Sequence, residues 1–212
     1  LGASNSTKVY GAFHVASLSD CEPAFATDFD GSGLTVSALN IGKAGVTDMH
    51  QAIDNNPATA SKLSLGLLGV AGSISQNVYF SSATSNGDDV NVKLSVSKTL
   101  VDAGVLNRLS IAVYNGGNLV TSFSDFSLLN LELLTLLRSG DPVNVRIPTS
   151  APFDRVSITL TSLLNASLDQ TVNVFEVTRS APKPTFTAPN SNAVSTCLNS
   201  TATLSATTAS TN

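Results

Sequence analysis

Val90-Asn91-Val92-Lys93-Leu94-Ser95-Val96-Ser97 alternates apolar and polar residues without a break. In an extended chain successive side chains point to opposite faces, so this stretch reads as a strand with one buried and one wet face. Arg155-Val156-Ser157-Ile158-Thr159-Leu160 repeats the pattern, and Arg108-Leu109-Ser110-Ile111-Ala112-Val113 nearly does. Further strands are expected over 34–39, 74–80, 119–123, 143–147 and 172–178, where Val, Ile and Thr suit a pleated surface. Turn chemistry separates them: Asn86-Gly87-Asp88, Asn115-Gly116-Gly117-Asn118 and Gly140-Asp141-Pro142. The Asn115 to Asn118 segment joins two alternating runs and is read as a hairpin. Together these signs describe an all-β fold, an antiparallel β-sandwich.

Helix is expected to be scarce. Residues 128–137 are rich in leucine, but on a helical wheel their apolar residues leave no polar stripe. Read as a strand, Leu129, Leu131, Leu133 and Leu137 share a face, and that reading is adopted. Single helical turns are expected within 47–55 and 99–103, and the rest is read as loop. Val-Asn-Val recurs at Val90, Val143 and Val172 with unequal spacing, which describes recurrent strand chemistry rather than a solenoid.

The chain has 212 residues, of which 12% are charged, against about 25% in a typical domain. Serine and threonine fill the gap, 30 and 22 of them. A net charge of -4 argues against nucleic acid as a partner, because that affinity rests on clustered Lys and Arg. The 42% hydrophobic content argues against disorder. No membrane span is expected, since the leucine-rich stretch is short and interrupted by Asn130, Glu132 and Thr135. One domain is expected over residues 1–180, followed by a proline-containing linker and Thr/Ser-rich strand tail over 181–212. The two cysteines, Cys21 and Cys197, together with the hydroxyl-rich composition, point to an extracellular or cell-surface location with the signal already removed. Whether they pair is open at this level.

Two segments carry oxygen ligands at suggestive spacing. In Asp28-Phe29-Asp30-Gly31-Ser32-Gly33, alternate oxygens followed by glycine match the opening of a loop that wraps a hard cation. The twelfth loop position is Leu39, where a bidentate Glu belongs, so Asp28, Asp30 and Ser32 mark either a calcium loop of another kind or a polar turn. In Ala52-Ile53-Asp54-Asn55-Asn56-Pro57-Ala58-Thr59, Asp54 and Asn56 are set to form Asx-turns. Catalytic arrangements are poor: His14 and His50 stand outside any metal motif, no nucleophile elbow occurs, and only Glu22, Glu132 and Glu176 supply glutamates. No enzyme activity is expected.

The Asp54 segment resembles the A-x-D-G-N-x-x-T signature of discoidin-type, galactose-binding-like β-sandwiches. Val78-Tyr79-Phe80, Phe153-Asp154-Arg155-Val156 and Val174-Phe175-Glu176-Val177 resemble core and closing strands of that family, so the likeness spans roughly residues 44–179. It implies a jelly-roll sandwich, a structural calcium touched by Asp54 and Thr59, and a glycan or protein ligand. Asn55 departs from the usual glycine, and Ser61-Lys62-Leu63 lacks the aromatic that normally follows Thr59. The tail, with Pro184-Thr185-Phe186-Thr187 and Cys197-Leu198-Asn199-Ser200-Thr201-Ala202-Thr203-Leu204, resembles the opening strands of Ig-like repeats in large surface proteins of type IX-secreting gliding bacteria. The expected function is a non-enzymatic extracellular module for adhesion or for binding a surface glycan or protein. The alternative is a filament subunit whose C-terminal strand, 201–207, completes the sheet of another copy of itself.

Overall fold

A computed structural model of the chain describes residues 24–32, 44–66, 72–84, 88–98, 108–124, 131–162 and 170–180, with short strands at 185–186 and 206–207. The described elements are, in order, β1 (Ala26–Ser32), β2 (Gly45–Thr47), a 3-10 turn (Met49–Ala52), β3 (Ser61–Gly66), β4 (Ser73–Tyr79) and β5 (Asp89–Val96). They continue with β6 (Leu109–Asn115), β7 (Asn118–Phe123), α1 (Leu131–Ser139), β8 (Val143–Pro148), β9 (Arg155–Thr161), β10 (Gln170–Ser180), β11 (Thr185–Phe186) and β12 (Ala206–Thr207).

Ten strands form two five-stranded antiparallel sheets. Sheet A has the order β1-β4-β9-β6-β7 and sheet B the order β2-β3-β10-β5-β8. Only β2–β3 and β6–β7 join neighbours directly; the other connections among these ten strands cross from one sheet to the other. Alternation explains the layering. Val90, Val92 and Leu94 of β5 and Val156, Ile158 and Leu160 of β9 are all buried in one interior, while Asn91 and Lys93 remain partly exposed. Each such side chain gains about 1.5–3 kcal/mol from burial before chain entropy is subtracted.

Polar groups sit in this interior too, Gln76 and Ser61 among them. Gln76 of β4 is fully buried and ties the sheets together. Its Oε1 accepts from the Ser61 hydroxyl at 2.6 Å, and its Nε2 donates to the Met49 carbonyl at 2.9 Å and Thr27 Oγ1 at 3.1 Å. Satisfied on both ends, the amide costs little and fixes how the 3-10 turn and β3 sit against sheet A. At one end of the sandwich Phe80 and Phe153 meet edge to face, 5.8 Å apart, and Thr84 exchanges two hydrogen bonds with Phe153.

The hairpin is where the sequence places it: Asn115 pairs with Asn118, and Gly116 takes φ 57°, as a two-residue turn requires. Three expectations are corrected. Residues 131–139 form helix α1 rather than a strand. Gly140 (φ 86°) ends it: the Asp141 N–H donates to Leu136 O and the Gly140 N–H to Leu137 O, both at 3.1 Å, a Schellman closure. Leu137 is buried against the core while Thr135 and Arg138 are exposed, so the polar stripe emerges in three dimensions. Of the segment 28–33, read as a polar turn or cation loop, residues 28–32 belong to the edge strand β1, paired residue by residue with β4. Residues 45–46 and 61–66, read as loop, lie in β2 and β3.

In the tail, Thr185 pairs with Thr207 and Phe186 with Ala206 within the same chain. The expected strand at 34–39, the turn at 99–103, His14, both cysteines and most of the tail lie outside the described residues.

Candidate functional site

The outward positions of sheet A come into rows through strand register. Tyr79 of β4, Arg155 of β9 and Tyr114 of β6 are direct cross-strand partners and share the outer face, with Leu119 of β7 next in line. The row behind contains Asp28, Asn77, Ser157 and Ala112, and the next Asp30, Ser75, Thr159 and Ser110. Neighbouring strands lie about 4.8 Å apart, so the two tyrosines are separated by roughly 9–10 Å with the arginine between them.

These side chains are held by one another. Asn77 Nδ2 donates to Asp28 Oδ1 at 2.8 Å, and the Tyr79 hydroxyl donates to Asp28 Oδ2 at 3.1 Å. The Arg155 guanidinium lies over the Tyr114 ring, 4.3 Å from its centroid, an attraction of about 0.5–1 kcal/mol at an exposed site. Its Nε is buried without a hydrogen-bond partner among the described residues. The Tyr79 phenol is pushed above its ordinary value of 10.0, first by burial and then by the Asp28 carboxylate, with Arg155 pulling the other way. Ser75 and Thr159 hydroxyls pair at 2.7 Å in the adjacent row. Beside the face, the Asp154 carboxylate accepts the Gly116 N–H with both oxygens at 3.0 Å, fixing the hairpin turn.

The residues read from sequence as cation ligands fall in two places. Asp28, Asp30 and Ser32 share the outer face of β1, but the strand is extended, so alternate Cα atoms are roughly 6.6 Å apart and do not curl around a common centre. Asp28 is occupied by Asn77 and Tyr79, and Asp30 Oδ1 accepts its neighbour Gly31 N–H at 2.7 Å. Asp54 and Thr59 do meet. Asp54 Oδ1 accepts the Asn56 N–H at 2.9 Å and Oδ2 the Thr59 hydroxyl at 2.8 Å, while Thr59 also reaches the Asn56 carbonyl at 2.9 Å. Asn56 Oδ1 in turn accepts the Ala58 N–H at 3.2 Å. Asn55 stands at φ 59°, a left-handed conformation that glycine or asparagine adopts most readily. Its place where the resembled signature has glycine thus has a backbone reason.

Calcium takes six to eight oxygens, several of them from carboxylates. The 54–59 loop offers one carboxylate, with both oxygens engaged by the loop's own donors. Among the described residues no three His, Cys, Asp or Glu side chains cluster as metal ligands.

In the sequence Tyr79 falls within the strand expected over 74–80 and Tyr114 between the run 108–113 and the hairpin turn, but no local pattern sets the two on one face with Arg155 and Asn77. The available signal was parity: all four fall on the polar side of their alternating runs.

No family model matches this chain, and no curated protein matches it. Solved structures similar to it include a pectin-binding carbohydrate-binding module, with 10% identity over 81% of this chain and 94% of that one, at TM-score 0.39. Another is the module CBM32-3 of a family 31 glycoside hydrolase from Clostridium perfringens, with 10% identity over 70% of this chain and 89% of that one, at TM-score 0.37. A third is the family 32 module of C. perfringens NanJ solved with galactose, with 12% identity over 72% of this chain and 92% of that one, at TM-score 0.35. Likenesses this distant carry no weight for function. The two-sheet sandwich stands on its own hydrogen-bonded registers.

Proposed function

We propose that this chain is a non-catalytic, exported binding module that holds a saccharide against the outer face of sheet A. The observation that supports this reading is the Tyr79–Arg155–Tyr114 row with Asp28 and Asn77 beside it. Sugars present apolar C–H faces that suit a tyrosine ring and vicinal hydroxyls that suit paired carboxylate, amide and guanidinium groups. The donors and acceptors are already cross-linked, so little side-chain entropy remains to be lost on binding. Asp28 and Asp30 outnumber Arg155 on this face, which favours a neutral saccharide over an anionic one. Adhesion to a glycan-coated surface is the role this chemistry serves. A filament built by strand donation would require Ala206–Thr207 to leave Thr185–Phe186, its partner within the chain.

Affinity electrophoresis through a panel of neutral and uronate polysaccharides tests the reading. A neutral polysaccharide is expected to retard the protein, and Tyr114→Ala or Arg155→Ala to weaken binding about tenfold or more, which corresponds to about 1.4 kcal/mol. Retardation by none of them, or variants that bind as well as the parent, would sink it.

A further inference from the structure

The loop that carries Asp54 and Thr59 leads into β3, and in sheet B strand β10 separates β3 from β5. Lys93 of β5 spans that separation. Its Nζ donates to the Pro57 carbonyl at 3.0 Å and stands 5.6 Å from the centre of the Phe175 ring. Phe175 occupies the irregularity of β10, where the register with β5 shifts between Val174 and Glu176. A bulge of this kind turns a side chain out of the regular pleat, and here it supplies an aromatic surface beside the ammonium.

The resembled family implies a calcium ion in this loop, and the loop's own side chains offer it a single carboxylate, both of whose oxygens accept from Asn56 and Thr59. What the loop does have is an ammonium from β5 on one of its backbone carbonyls. We propose that Lys93 is the internal cation of the 54–59 loop, clamping it to sheet B through Pro57 and Phe175, so that the loop keeps its shape and the module its stability without a divalent metal. An ammonium is a compact point charge with three donors, and a charge-assisted bond to a carbonyl is stronger than a neutral one. Unlike a bound ion, it cannot dissociate. The 54–59 loop adds its own reinforcement through the Asp54, Asn56 and Thr59 turn bonds, leaving the lysine to hold the outer segment at Pro57.

Thermal unfolding of the full chain tests this with chelator, with millimolar calcium, and with neither. All three conditions are expected to give the same melting temperature. Lys93→Met keeps the aliphatic stem and loses the charge; it is expected to melt several degrees lower and to be cut several-fold faster by protease within residues 54–59. Lys93→Arg retains a cation and a donor and is expected to restore both properties. A parent protein destabilised by chelator or stabilised by calcium overturns the proposal. So does a Lys93→Met protein whose melting and loop cleavage match those of the parent. The chelator arm needs only the parent protein, so it can overturn the proposal even where Lys93→Met does not fold, and cleavage within 54–59 in Lys93→Arg then reads the lysine's part.

Discussion

Tyr79 shows how one outward side chain acquires its chemistry from three strands. Its own strand sets the face, β1 supplies the Asp28 acceptor, and β9 brings Arg155 alongside. Because burial and Asp28 raise the phenol above 10.0, the folded state resists losing that proton. The sign follows from linkage: the unfolded chain releases the proton first, so the contribution is fully present below pH 10 and is lost as pH climbs through the folded value. Tyr79→Phe is therefore expected to flatten the alkaline limb of stability, measured by urea unfolding on either side of pH 10; an unchanged limb would remove this group as its source. Gln76 is a harder case for sequence reading. A glutamine in an alternating run looks like any polar intrusion. Only Ser61, Met49 and Thr27, brought in from three other places, show that it is satisfied.

At the level of elements, period two identified β4 to β10 well and failed at β1, β2, β3 and α1. The failures share a cause. β1 begins in Ala-Thr-Asp-Phe-Asp and owes its extended form to seven paired positions on β4, not to its own side chains. In β3 the inward residues are Ser61, Leu63 and Leu65, so a polar residue heads the buried face and blurs the alternation. In α1 the leucines favour helix by propensity, and the stop signals Arg138, Gly140 and Pro142 were present in the chain. A helical wheel without a clean polar stripe hides the helix that they close. The glycine offers a direct check. A Cβ at Gly140 would meet nothing within 4 Å, so Gly140→Ala pays only for the left-handed backbone at φ 86°. It is expected to lower stability by about 1–2 kcal/mol in chemical denaturation. No loss would mean that the closure of α1 is not under this constraint.

For the whole molecule, the two sheets share one interior, and the described tail strands pair with each other. Val172, Val174 and Val177 of β10 complete that interior, and the strand ends at Ser180. Removal of residues 181–212 is accordingly expected to leave the melting temperature within about 3 °C, the shift that roughly 1 kcal/mol brings to a domain of this size. A larger fall in differential scanning calorimetry would show that the tail belongs to the core. The low charge has a related reading at this scale. The outer face of sheet A takes its polarity from paired hydroxyls such as Ser75 and Thr159, together with a few fixed charges.

The sequence by itself determined the class of this protein and the faces of its main strands, because alternation is local and each residue carries its own preference for water or interior. It also placed the Asp54 and Asn56 turns, whose bonds span only a few positions. Tertiary structure alone decided which outward residues stand together. Tyr79, Arg155 and Tyr114 are far apart in the chain and meet only through the β4–β9–β6 register. It likewise brought a lysine from β5 to a loop that precedes β3. Such contacts depend on strand order and on which strand slides against which, and no short window of residues encodes either.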